Sequence, residues 1–152
     1  MRFVAASATI LSLAFLMPAP GHCAIDEKIP DAQSLLALQT RASVAGPREQ
    51  CFLYAELVHQ MTELAARQLS AGDIAQASGT IHSVQEYAAK IHMDMGNDSK
   101  RLKNAEILVR HTAFRLHDMI SEASLEDRPS LDATLKQLNQ VQAELMLQVF
   151  RQ

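Results

Sequence analysis

From residue 47 onward the apolar residues recur every three to four positions, and no stretch alternates with period two. That spacing lays a continuous apolar stripe along an α-helix and offers a half-buried strand nothing, so the chain is predicted to be all-α. Four segments carry the pattern. The first, about Arg48 to Ala71, follows Gly46-Pro47, where proline suits a helix's first turn, and aligns Tyr54, Leu57, Val58, Met61, Leu64, Ala65 and Leu69. The second, about Asp73 to Met95, aligns Ile74, Ala77, Ile81, Val84, Ala88, Ile91 and Met95, the three-four alternation of coiled-coil seams. The third, about Ser99 to Ala123, aligns Leu102, Ala105, Val109, Thr112, Leu116, Met119, Ile120 and Ala123. The fourth starts near Pro129 and uses Leu131, Leu135, Leu138, Val141, Leu145 and Val149.

Each segment is roughly 20–25 residues, or about 30–38 Å as a helix. Similar lengths joined by short turns, Gly72-Asp73 and Gly96-Asn97-Asp98 among them, predict antiparallel neighbours in an up-down-up-down four-helix bundle over residues 47–152. Acid-then-base pairs spaced i,i+4 support the register: Glu63 with Arg67, Glu86 with Lys90, Glu106 with Arg110 and Asp132 with Lys136. Locally, Leu64 to Tyr87 resembles a single tetratricopeptide-type helix pair, with Gly72-Asp73 at its turn and Ala77 at its small packing position. The resemblance implies a helical hairpin there, and no second copy follows at a similar period.

Ahead of the helices, Arg2 precedes an uncharged run, Phe3 to Met17, which Pro18-Ala19-Pro20-Gly21 breaks. The run is shorter than the ~20 apolar residues of a spanning helix, and it reads as a secretory signal over residues 1–24, cleaved between Gly21 and Ala24. The mature chain is then exported, periplasmic or secreted, without a membrane span. Cleavage after Gly21 keeps Cys23 beside Cys51 and permits a disulfide; cleavage after Ala24 leaves Cys51 alone. Residues 25–46 form an arm in which Pro30-Asp31-Ala32-Gln33 starts a short helix through Leu35, Leu36 and Leu38, or a tether.

The chain of 152 residues is 48% hydrophobic with a formal net charge of -3, so it has a core to bury and no basic field to gather nucleic acid. No nucleophile elbow, glycine-rich phosphate loop or His-Glu-x-x-His is present, and Thr112 is almost the only polar residue in the seams, so the protein is expected not to be an enzyme and to carry no cofactor. Glu56-Leu57-Val58-His59 has the spacing of a di-iron bundle's Glu-x-x-His but occurs once. At about 100° per residue Glu56, His59 and Glu63 fall some 140–180° from the seam and are expected to face water. His82, Glu86, His111 and Arg115 are expected to do the same. The metal candidate is His92, Met93 and Met95, whose imidazole and thioether donors suit copper.

Apolar residues on the wrong side are the most telling feature. Ile107 and Phe114, seven apart, lie opposite the Val109-Leu116 seam, and Phe52, Leu147 and Phe150 are displaced from theirs. Either residues 29–44 fold over these positions, or they form an interface with a second copy or another protein. The chain is therefore expected to be an exported, non-catalytic interaction or structural module, with a metal- or small-ligand-binding periplasmic bundle as the alternative.

Overall fold

The computed structural model describes residues 30–91 and 99–151. Among them the protein is all-helical: α1 (Ala32–Val44), α2 (Pro47–Ser70), α3 (Ile74–Ala88), α4 (Ser99–Glu122) and α5 (Arg128–Phe150). No described helix is long and apolar enough to cross a membrane. Residues 1–29, with the expected signal segment, its cleavage region and Cys23, lie outside the described residues.

Each terminus of a helix leaves backbone groups unpaired, and local residues satisfy them. At the start of α1, the Asp31 carboxylate accepts from the Ser34 amide at 2.5 Å. Pro47 sits in the first turn of α2, where its missing N–H costs nothing. The end of α2 is a Schellman turn: the Asp73 amide donates to the Gln68 carbonyl at 2.8 Å and the Gly72 amide to the Leu69 carbonyl at 3.0 Å. Gly72 has φ +82°, and a Cβ added there would meet nothing within 4 Å. The cost of a side chain is therefore purely conformational. Gly72→Ala is expected to destabilise by about 1–2 kcal/mol and Gly72→Asn by less, as urea titration would measure.

Helix α2 packs against α3 and α4, α5 against α4 and α3, and α1 against α2. The cross-helix contacts fix the directions. His59 and Glu63 of α2 meet Thr112 and Arg115 of α4, so these two helices run parallel. Ala77 and Ser78 of α3 lie beside Asp127 and Ser130 where α5 begins, and further along Gln85 meets Thr134 and its carbonyl accepts from Gln137 at 3.0 Å, so this pair is parallel too. Two antiparallel hairpins, α2–α3 and α4–α5, thus lie side by side. Helices α3 and α4, consecutive in sequence, do not pack on each other, and neither do α2 and α5.

The seams close on one core. Leu57, Val58, Val84, Val109, Leu116, Leu138 and Leu145 are fully buried at its centre, and Tyr54 stacks on Tyr87 between α2 and α3 with ring centroids 6.0 Å apart. Helix α3 is shorter than the expected Asp73 to Met95. It ends at Ala88, where the Lys90 and Ile91 amides donate three residues back, to Tyr87 and Ala88. Ile91, past the helix end, is still buried in the core. That anchoring overrides a run of good helix formers.

The arm is not a tether. Helix α1 lays Leu35, Leu38 and Ala42 against α2, and Leu53, which points away from the central seam, is fully buried. Arg41 of α1 pairs with Glu49 of α2 at 2.6 Å, and this hydrogen bond to the guanidinium holds the Glu49 carboxyl below the usual range. The Gln50 amide donates to the Ala42 carbonyl at 3.1 Å.

Candidate functional site

The polar residues of α2 and α4 do not face water as expected. Helix α2 has three neighbours, so the face that carries His59 and Glu63 is half-buried against α4. There Arg115 Nε donates to Glu63 Oε2 at 3.2 Å. The Thr112 hydroxyl donates to the Leu108 carbonyl at 2.8 Å. With its hydrogen so committed it accepts from His59 Nδ1 at 3.2 Å, which fixes the ring tautomer. Glu63 therefore pairs across helices rather than with Arg67, whose Nη1 is buried without a hydrogen-bond partner. Glu56 is half-buried on the same helix. Of the other expected outward groups, His82 and Glu86 are exposed and lie 3.5 Å apart, and His111 is exposed.

Thr112 is joined in the interior by Thr62, Thr134 and Glu106. Each threonine hydroxyl donates to the carbonyl four residues earlier, the ordinary way a helix satisfies it. Glu106 accepts from Gln142 Nε2 at 3.2 Å and lies 3.9 Å from Arg110. Cys51 is a free, buried thiol, and desolvation pushes it up to about 11, so it stays protonated at neutral pH. A cleft of about 270 Å³ opens where α2 and α4 end, between Leu69, Ile74, Met119, Arg115 and Glu122. The Arg115 guanidinium there is already engaged by Glu63. His92, Met93 and Met95 lie outside the described residues.

The five displaced apolar residues divide between two faces. Phe52 lies seven residues before His59, shares its stripe, and is half-buried against the core on the α4 side of α2. The other four belong to the α4–α5 hairpin. Phe114 is 66% exposed, Leu147 58% and Phe150 81%, while Ile107 is half-buried. Helix α1 packs on α2 alone, so it does not cover them. Phe52 and Phe150 occupy the same end of the molecule, but on helices that do not pack on each other, and they do not join in one patch.

Phe114 rims a groove between α4 and α5 of about 360 Å³, lined by Arg110, Ala113, His117, Leu135, Asn139 and Gln142. Two stripes of seven-residue spacing run along this side of α4: Lys100, Ile107 and Phe114 in one, Lys103, Arg110 and His117 in the other. Helix α5 contributes Leu135, which follows the seam's spacing, packs half-buried against the core and also lines the groove, a role its spacing does not signal. Met146, 41% exposed, sits one residue before Leu147 and four before Phe150, a spacing that made it readable. Leu36, Val44 and Leu125 are also exposed, but singly, on α1 and the α4–α5 turn.

Compared with protein-family models, curated proteins and solved structures, the chain matches none of them.

Proposed function

We propose that this protein is a non-catalytic, exported interaction module. Helices α2 to α5 form a four-helix bundle braced by α1, and the groove between α4 and α5 receives an acidic amphipathic helix of a partner protein. The observation that carries this reading is the exposure of Phe114 in mid-helix, at the rim of a groove with an apolar floor. A partner helix laid along the groove would meet the Arg110 cation and, two turns along, the His117 imidazole. A second copy presents the same basic stripe, so self-pairing through this face would bring like charges together. The non-catalytic part of the reading is supported by the described interior, where each buried threonine hydroxyl donates to a carbonyl of its own helix.

A photo-reactive residue in place of Asn139, an exposed residue lining the groove, tests the proposal in cells that export the protein. A discrete adduct is expected whose cross-linked partner segment is an acidic amphipathic helix, while the same group in place of His111 gives none. Phe114→Asp is expected to weaken the adduct about thirtyfold, as removal of an aromatic hot spot does, with helicity by circular dichroism unchanged. No adduct at position 139, or one that survives Phe114→Asp undiminished, sinks the reading.

A further inference from the structure

We infer that the end of the α4–α5 hairpin where α4 begins and α5 finishes docks on an anionic lipid surface, at a site separate from the groove. The antiparallel register sets which residues meet there. Glu106 sits level with Gln142, and the groove brings Arg110 level with Asn139 and Phe114 level with Leu135. Continuing that pairing puts Lys103 level with Met146 and Lys100 level with Val149 and Phe150. Phe114 is about 22 Å away along α5.

Three large apolar side chains, Met146, Leu147 and Phe150, are exposed within five residues of one another at this end. Lys100 and Lys103 on α4 and Arg151, just past the end of α5, are exposed at the same end. The described acids nearest to the cluster are otherwise engaged. Glu144, one turn before Leu147, accepts from Gln140 Nε2 at 3.3 Å. Glu106 is buried beneath Gln142, and Glu49 is taken by Arg41, with Arg101 lending it a further positive field.

Apolar side chains that project from a helix terminus form a convex surface. A protein partner would need a matching pocket for them, whereas a bilayer yields to any convex shape. Phenylalanine, leucine and methionine then enter the acyl boundary, and the lysine stems reach back to put their ammonium groups among lipid phosphates. Two copies meeting through this end would set the same three cations against each other, which disfavours self-association.

Sedimentation of the purified protein with lipid vesicles decides the matter. The protein is expected to bind phosphatidylcholine vesicles that contain phosphatidylglycerol far more tightly than phosphatidylcholine alone, and to release as salt screens the charges. Lys100→Gln with Lys103→Gln is expected to weaken binding about twenty-five-fold, at about fivefold per cation. Phe150→Ser is expected to weaken it about tenfold or more. Circular dichroism of these exposed-site variants should match that of the unaltered protein. Equal binding to both vesicle types, none at low ionic strength, or indifference to both substitutions overturns the inference. Phe114→Asp should leave vesicle binding intact while it weakens the groove adduct. If Phe114→Asp instead removes vesicle binding and the end variants do not, the lipid face is the groove and the inference falls.

Discussion

Leu138→Ala is expected to lower the free energy of unfolding by about 2–5 kcal/mol, the largest loss of any single truncation proposed for this chain. Leu138 is fully buried at the middle of α5. Its loss removes apolar area from the core and leaves a void. The size of the cost depends on whether the walls can close in. Here they are braced, because α5 is held by α4 on one side and by α3 on the other, with Gln85 Nε2 donating to Thr134 Oγ1 at 2.7 Å. Collapse would have to break these bonds, so the upper part of the range is expected. Urea titration measures it, with Gln140→Ala on the exposed face of the same helix as the control, which should stay within about 0.5 kcal/mol. Equal effects of the two would mean that α5 does not bury this face.

The second large effect is expected from Arg115→Met. Removing one partner of a fully buried ion pair costs about 3–5 kcal/mol, whereas exposed pairs are worth about 0–1 kcal/mol. Glu63 and Arg115 lie between these limits, with side chains 17% and 39% exposed. A loss of about 1–2 kcal/mol is therefore expected, most of it from a half-buried Glu63 carboxylate left without its partner. A double-mutant cycle with Glu63→Leu isolates the pair. Coupling between positions 63 and 115 is the signature of parallel α2 and α4. If Glu63 instead paired along its own helix with Arg67, Arg115→Met would be near neutral and the coupling would appear between positions 63 and 67.

That cycle also marks where reading from sequence alone stops. The stripes through Ala77, Ile81, Val84 and Ala88 of α3 and through Leu102, Ala105, Val109, Leu116 and Met119 of α4 are buried as their spacing requires. Phe114, Leu147 and Phe150 are exposed where the same arithmetic placed them, off the seam. The reading failed on α2. Leu53, Ala55, Thr62 and Ala66 are buried beyond its seam, and Glu63 and His59 are tucked against α4. A single stripe presumes one buried side, but α2 touches α1, α3 and α4. The groove half-escaped for a related reason: Leu135 obeys the seam's spacing, and only the approach of α4 decides that it also floors an opening.

Local features follow from residue order alone: the helical period, the proline and glycine at the ends of α2, and the apolar residues with no place in a seam. These follow from backbone geometry within a few residues and need no knowledge of distant segments. Which helices become neighbours was decided only in three dimensions. The α2–α4 and α3–α5 contacts join residues about fifty apart in the chain. Any chain-order ring of four similar helices would bury comparable stripes, so periodicity cannot rank one pairing against another. Side-chain fit can: the Gln85–Thr134 bond and the Glu63–Arg115 pair each form in this arrangement. The same arrangement leaves the outer side of α4 and α5 open to a partner.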